Sequence, residues 1–395
     1  MTIESIVDAH HHLWDPTRRA YPWMAGEAFS PIRRRYGRAE LAGALANTAV
    51  TATVLVQTVS DRAETVEFLA EAARSEGLVV GVVGWLDLTA DSVAEDLAAL
   101  RSRPGGAGLV GIRHQVENEP DPDWLSRPDV RRGLRAVAEA GLAYDLLVRP
   151  DQLGAATEVV RAVPELRFVL DHGGKPPIRE SGKPPIRESG KPPIRESGKP
   201  PIGESGKPPT GHSGKPATGH SGRAPMGESG RSPMGNSGGP PVEKSGEPPV
   251  EGSDRPWSGS GGPPPGDGSV GHSRHDGSTA GAVGGWAPSS GAARWSSAVG
   301  ALAEAENVVC KLSGLITEAS WSDWTVDDIR PYADRLLSTF GPRRLLYGSD
   351  WPVCELAGTY GEVLTLADRL TDALSVAERR RVLSTNAREW YRLRG

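Results

Sequence analysis

The chain alternates between short apolar runs and segments with helical spacing. Eight runs are rich in Val, Leu and Ile with few polar interruptions, which is typical of strands covered on both faces. These predicted strands are residues 5–9, 52–57, 79–86, 109–114, 143–148, 167–171, 308–312 and 344–348. Apolar residues three and four apart predict helices over residues 65–73, 91–100, 128–140, 151–163, 295–305, 326–340, 360–373 and 376–393. Eight alternating units predict a parallel sheet closed into a (β/α)8 TIM barrel.

The stretch from Pro176 to Gly285 breaks this pattern. It is rich in Gly, Pro, Ser and charge, and an octapeptide that begins at Lys175 recurs at Lys183 and Lys191 before it decays. Such a segment buries too little apolar surface to offset its ordering entropy, so residues 176–285 are predicted to be a disordered insertion after strand six. Removing them leaves roughly 285 residues, near the ~250 of one barrel, so residues 1–395 are predicted to form a single barrel domain. No aromatic anchor recurs in the unit, which favours an inert expansion over a proline-rich docking tether.

Charge and composition exclude several classes of partner. The net charge is −5 at pH 7, and no basic stripe suggests binding to nucleic acid. No apolar run approaches the ~20 residues that span a bilayer, and the N-terminus does not resemble a signal peptide. The two cysteines, Cys310 and Cys354, lie in or after apolar runs and are expected to be buried, reduced thiols. This profile predicts a cytoplasmic protein that binds neither nucleic acid nor membrane.

The first predicted strand runs into three consecutive histidines. His10 and His12 are two residues apart, so their side chains point to the same face of a strand. At a strand end inside a barrel, that face is the pocket. Two imidazoles that converge there can bind a divalent ion or a polarised carbonyl oxygen. His11 points the other way and is interpreted as structural.

Two further candidates follow strands six and eight. His172 comes directly after Asp171, and neighbouring strand residues point to opposite faces, so only one of the two can face the pocket. We place His172 there and expect Asp171 to form structural hydrogen bonds. Asp350 follows Gly348-Ser349 and can take a proton from water or bind a metal. The C-terminal ends of barrel strands meet at one face. We therefore predict a catalytic or metal-binding site made of His10, His12, His172 and Asp350.

A second group of residues could contact a substrate. Arg113 and His114 end strand four, where a guanidinium can clamp a carboxylate or, alternatively, form a salt bridge at the barrel rim. Several aromatic residues lie near strand ends or in the first βα loop, where they could form a pocket floor or simply pack in the core. These are Trp14, Tyr21, Trp23, Trp85 and Trp351.

At this level of detail the chain resembles a known family. The motifs that carry the resemblance are Val7-Asp-Ala-His-His-His-Leu-Trp-Asp-Pro16, Tyr21-Pro-Trp23, Val54-Leu-Val-Gln57, Val82-Val-Gly-Trp-Leu-Asp87, Gly111-Ile-Arg-His114, Tyr144-Asp-Leu-Leu147, Leu170-Asp-His172, Cys310-Lys-Leu-Ser-Gly-Leu315 and Tyr347-Gly-Ser-Asp-Trp-Pro-Val-Cys354. They resemble the amidohydrolase-2 type of TIM-barrel metal-dependent hydrolases, in the branch of sugar-acid lactonases. The chain departs from the family at the octapeptide insert and at His11, where a Gln is usual.

The resemblance implies hydrolysis of a small lactone. Asp350 would activate the attacking water, and His10, His12 and His172 would hold the carbonyl oxygen or one divalent metal, with zinc the first choice and no metal the alternative. A related metal-dependent decarboxylase or C–C hydrolase is the competing reading among enzymes. The competing hypothesis that does not involve catalysis is a scaffold protein, in which the repeats would serve as a tether that recruits partners.

The insertion hypothesis makes a direct prediction. Excising residues 180–280 is expected to leave a folded, active barrel, because the cost of closing a loop rises only slowly with its length. Circular dichroism and turnover of the excised protein, compared with the full chain, measure this. Loss of folding on excision would show that the segment is structural.

Overall fold

The computed structural model describes residues 5–180 and 288–394 of the chain. Eight strands form one sheet whose order follows the sequence, and every neighbouring pair is parallel. The strands are β1 (Ile6–His11), β2 (Val50–Val56), β3 (Val79–Gly84), β4 (Leu109–His114), β5 (Ala143–Leu146), β6 (Arg167–Leu170), β7 (Val308–Leu312) and β8 (Leu345–Tyr347). The repeats beyond residue 180, and the disorder predicted for them, lie outside the described residues.

The first and last strands meet at their C-terminal ends. His11 and Trp351 form a parallel bridge, the amide of His12 donates to the Trp351 carbonyl at 2.7 Å, and the amide of Asp350 donates to the His10 carbonyl at 2.8 Å. These bonds close the sheet where the histidines and Asp350 lie. The (β/α)8 TIM barrel predicted from the sequence is confirmed.

Helices connect the strands and cover the outside of the barrel. They are α1 (Arg38–Leu45), α2 (Arg62–Ala73), α3 (Val93–Arg101), α4 (Pro128–Glu139), α5 (Leu153–Ala162), α6 (Ser290–Ala303), α7 (Leu315–Glu318), α8 (Val326–Phe340), α9 (Tyr360–Leu370), α10 (Val376–Arg380) and α11 (Asn386–Tyr391). Side-chain caps fix several starts: Asp61 accepts from the amide of Ala63 before α2, and Ser375 accepts from that of Glu378 at α10. None of the helices within the described ranges is long and apolar enough to cross a membrane.

Some boundaries differ from the sequence prediction. β1 continues through His10 and His11 rather than ending at Ala9, because His11 still pairs with Leu55 of β2. The single helix predicted over residues 376–393 is divided by a π-helical turn, Arg381–Thr385. Helices α1 and α7 were not predicted from the apolar spacing.

The C-terminal helix α11 closes the end of the barrel that is remote from the histidines. Ala387 and Tyr391 pack with apolar side chains of the strands in one buried cluster. Arg167, the first residue of β6, donates to the carbonyl of Trp390, which places α11 at the N-terminal ends of the strands. The Tyr391 hydroxyl donates to both carboxylate oxygens of Asp145, at 2.8 and 2.7 Å.

We predict that Tyr391→Phe lowers the free energy of unfolding by about 1.5–3 kcal/mol, because a buried carboxylate loses a hydrogen-bond donor. Urea denaturation measures the change. Catalytic turnover is expected to stay at the parent value, since both Asp145 and Lys311 lie between the hydroxyl and His10. An unchanged denaturation midpoint would contradict the importance of this contact.

Candidate active site

The barrel brings four of the predicted residues to one point. His10 Nε2 lies 3.1 Å from His12 Nε2. The Oδ1 atom of Asp350 is 3.4 Å from His12 Nε2, 3.7 Å from His10 Nε2 and 3.9 Å from His172 Nε2. The carboxylate is thus surrounded by three imidazole nitrogens that come from the ends of two other strands.

The local backbone geometry directs the side chains of His172 and Asp350 into the site. His172 has a φ of +51° and Asp350 a φ of +57°, a left-handed region that is uncommon for residues other than glycine and that clusters at functional sites. β6 ends at Leu170, so the alternation of a strand does not apply to the two residues that follow it. Asp171 and His172 therefore both face the barrel axis, so the expectation that they point to opposite faces is wrong. His172 nevertheless lines the cavity, whereas Asp171 is not part of its described wall and hydrogen-bonds to Arg113 beneath it.

The other nitrogen of each imidazole contacts the protein. His12 Nδ1 donates to the carbonyl of Val56 at 2.8 Å, so its Nε2 carries a lone pair. His172 Nδ1 lies 3.0 Å from the hydroxyl of Ser313. Such contacts orient the rings and present the Nε2 atoms to the centre, as is usual for histidines that bind metals.

A buried charged network lies beneath these residues and was missed in the sequence analysis. Lys311 Nζ on β7 contacts Asp145 at 2.6 Å and Asp171 at 2.9 Å. Arg113 Nη1 on β4 donates to the other oxygen of Asp171 at 2.9 Å. Two cations and two carboxylates thus compensate one another where unpaired charges would be costly.

The sequence did contain a signal for this network. Lys311 and Asp145 interrupt strands that are otherwise apolar and buried on both faces. Charged residues are almost never fully buried unless they are paired. A lysine in one such strand and an aspartate in another are therefore predicted to form a buried ion pair.

Burial also sets the protonation of the site. It lowers the pKa of His12 to about 3 and that of His172 to about 4, and it lowers the pKa of His10 well below its ordinary value, an effect to which Lys311 adds. All three imidazoles are therefore neutral near pH 7, the form that binds metals. Burial raises the pKa of Asp350, and His172 and Arg113 oppose that rise.

A cavity of about 670 Å³ opens above this cluster. Its floor includes His12, Arg113, His172 and Asp350. One part of the wall is aromatic, formed by rings in edge contact with centroids 5.9 and 5.8 Å apart. The rest of the wall carries both signs of charge. The aromatic residues are Trp23, Phe29 and Trp321, and the charged ones are Glu117, Arg149, Lys175, Arg179 and Glu318.

The remaining sequence candidates lie at different depths. Trp23 lines the cavity, whereas His114 and the other four aromatic residues do not belong to its described wall. Trp85 Nε1 donates to His114 Nδ1 at 3.0 Å, and the His114 ring stacks on Trp124. Trp85 and His114 therefore support the segment that carries Trp124. The aromatic residues that pack behind the wall are Trp14, Tyr21 and Trp351. Phe29 and Trp321 were missed because neither belongs to a regular apolar pattern.

Arg113 reaches the cavity but is already engaged by the protein. Its Nε donates to the side-chain oxygen of Gln57 at 3.1 Å, and its Nη2 donates to the backbone carbonyl of the same residue. Because Nη1 also donates to Asp171, most of the N–H donors of the guanidinium group already have a partner. Its positive charge remains at the floor, beside the site of Asp350.

Comparison with known proteins agrees with this architecture. The amidohydrolase family profile matches residues 7–191 and 282–393, and the chain belongs to this family, as the sequence motifs predicted. An L-fucono-1,5-lactonase of Burkholderia multivorans is 28% identical over 393 residues, covering 98% of this chain and 96% of the relative. An L-fucono-1,5-lactonase of Burkholderia ambifaria is 27% identical over 391 residues, covering 98% and 95%.

A solved structure is similar throughout. It is an amidohydrolase of Burkholderia multivorans crystallised with bound zinc, 27% identical to this chain, with a TM-score of 0.67 and coverage of 98% of this chain and 99% of that one. In the present structure, His10, His172 and Asp350 each offer one ligand atom, and these atoms lie within 4.8 Å of one another. Neutral imidazoles and a carboxylate with an open side facing a cavity suit a catalytic divalent ion, so these residues fit a single metal of this kind.

The position of His172 depends on a glycine. Gly314 has a φ of +64°, and a Cβ there would lie 2.5 Å from His172 Nδ1. We predict that Gly314→Ala displaces the imidazole and lowers kcat by about 100-fold, as misplacing a catalytic group by about 1 Å can do. Steady-state kinetics with lactone substrate measure this loss.

Gly341→Ala is the matched control. Gly341 has a φ of +67° and a ψ of 167°, a region almost restricted to glycine, and nothing lies within 4 Å of its Cβ position. This variant therefore has at least as much backbone strain as Gly314→Ala, whose residue has a ψ of 5°, but without the clash. It should lose stability and keep its kcat. Equal losses of kcat in both variants would show that strain, not the displacement of His172, is the cause.

Proposed function

We propose that the protein hydrolyses the ring ester of a sugar-acid or similar small lactone. The observation that carries the proposal is the carboxylate of Asp350 held within 4 Å of three imidazole Nε2 atoms at the floor of an open cavity. The full-length similarity to proteins named L-fucono-1,5-lactonase supports this substrate class. The aromatic part of the wall suits the C–H faces of a sugar ring, and the charged part suits its hydroxyl groups.

In the proposed reaction Asp350 is the general base. It accepts a proton from a water molecule as the water oxygen attacks the lactone carbonyl carbon. Negative charge then develops on the carbonyl oxygen, and the guanidinium of Arg113 at the cavity floor favours it. When the tetrahedral adduct collapses, the bond to the ring oxygen breaks and Asp350 returns the proton to that oxygen. The product is the open hydroxy acid.

One divalent ion, with zinc the first candidate, is part of the proposal. His10, His172 and Asp350 would hold it, with His12 beside them, and it would polarise the carbonyl group as a Lewis acid. His12 supports this arrangement, because its Nδ1 hydrogen is used by Val56 and its Nε2 has a lone pair to offer. A neutral imidazole in that state cannot donate a hydrogen bond to a carbonyl oxygen.

The proposed substrate contacts follow from the wall of the cavity. Trp23 and Arg113 would touch the substrate directly. The other sequence candidates would act from behind, by supporting the wall; they are His114, Trp14, Tyr21, Trp85 and Trp351. No feature of the described residues specifically favours a decarboxylase, a C–C hydrolase or a scaffold.

Asp350→Asn is expected to lower kcat by about 10²–10⁴-fold, the usual cost of removing a positioned general base. The assay is a panel of sugar-acid lactones, run with and without a chelator, with zinc content measured for each preparation. Asp372→Asn is the control, since Asp372 is an exposed carboxylate outside the cavity wall.

The assays with and without chelator distinguish the two proposed roles of Asp350, as general base and as metal ligand. Low activity of the Asn variant at full zinc content identifies the carboxylate as the base. Restoration of activity by excess zinc would instead assign the loss to metal binding. A kcat within twofold of the parent on a responsive lactone would refute the mechanism.

A further inference from the structure

Lys311 touches the site at one atom of His10. Its side chain is fully buried, and its Nζ lies 3.0 Å from His10 Nδ1 as well as against Asp145 and Asp171. Both carboxylates lie within ion-pair distance of the lysine ammonium group. An ammonium group has three hydrogens and no acceptor, so it can only donate to the imidazole. That contact requires a lone pair on Nδ1.

A neutral imidazole carries one proton, so a lone pair on Nδ1 places the proton on Nε2. His12 favours the same state: its Nε2 has a lone pair and lies 3.1 Å from His10 Nε2, where it accepts this hydrogen. A protonated Nε2 cannot bind a metal. The contacts from Lys311 and His12 therefore oppose the use of His10 as a ligand.

Two other neighbours favour the opposite state. Asp171 Oδ1 lies 3.3 Å from His10 Nδ1, where its negative charge favours a hydrogen on that nitrogen. Arg113 Nη1 lies 3.3 Å from His10 Nε2 and donates towards it. Both contacts place the proton on Nδ1 and leave the Nε2 lone pair free. His10 thus lies between two competing pairs of partners, and the shorter contacts belong to the pair that blocks a metal.

We propose that Lys311 and Asp171 compete for Nδ1 of His10, and that Lys311 thereby holds the metal affinity of the site below what its ligands would otherwise give. The inference rests on the metal site of the proposed function. Lys311 and Asp171 act through His10 and are positioning residues. The ammonium charge adds to the effect, since it repels a second cation at short range.

The test is the equilibrium affinity of two variants for Zn²⁺, measured by competition with a chromophoric chelator. Lys311→Met keeps the length of the side chain and removes its hydrogens and charge, and it should bind Zn²⁺ about tenfold more tightly or better, a gain equal to about 1.4 kcal/mol. Asp171→Asn should bind Zn²⁺ about 10–100-fold more weakly, as expected for the loss of a partner that orients a metal-binding histidine. A purely structural network would weaken binding in both.

Two further variants control for folding. Lys311→Met leaves Asp145 without its cation, so Lys311→Met/Asp145→Asn removes one charge of each sign and should show the same tighter binding. Tyr391→Phe perturbs the network at its far end, where the hydroxyl touches Asp145, and its Zn²⁺ affinity should stay within twofold of the parent. Circular dichroism verifies that each variant is folded.

The tautomer itself can be observed without metal. Nitrogen-15 NMR of histidine-labelled protein should show the His10 proton on Nε2 in the parent and on Nδ1 in Lys311→Met. Unchanged tautomers, or weaker Zn²⁺ binding by both lysine variants, would overturn the inference and leave lactone hydrolysis standing. Absence of Zn²⁺ binding by the parent and by the lysine variants would overturn the metal proposal, and this inference with it.

Discussion

The structure depends on the compensation of charge inside the barrel. Asp145, Asp171, Arg113 and Lys311 come from four successive strands or the turns that follow them, and each is almost completely buried. Removing one partner of a buried pair typically costs about 3–5 kcal/mol, because the remaining charge is left without compensation. The four residues must therefore stay in register. Through Lys311 and Arg113 they also contact His10 on β1, and so connect strands β4 to β7 with the proposed site.

The histidines use this rigid frame in a common way. Each directs one ring nitrogen to a protein group and the other to the centre of the site, so that the ring is oriented before any substrate arrives. Val56, Ser313 and the Lys311–Asp171 pair supply the three anchors. Such fixed dipoles and lone pairs need little reorganisation during a reaction, which is the principal advantage of a buried site.

Most of the architecture was predictable because it rests on repetition. Alternating strands and helices identify a barrel, and His10, His12, His172 and Asp350 could be located because they follow apolar runs whose ends must meet. The premise that Asp171 and His172 point to opposite faces was wrong because it extended the alternation of β6 beyond Leu170, into a turn with left-handed backbone. The cavity wall could not be predicted, since Phe29 and Trp321 come from segments with no regular period.

The cavity wall also bears on the history of the octapeptide repeats. The first copy of the unit supplies Lys175, Pro177 and Arg179 to the wall, so this copy lines the cavity that we propose binds the substrate. A tandem duplication downstream of an intact template adds length without altering what the template does. Selection for turnover then acts on the first copy and leaves the later ones free to accumulate substitutions. The increasing divergence of the units after Lys191 is the pattern that such relaxed selection produces.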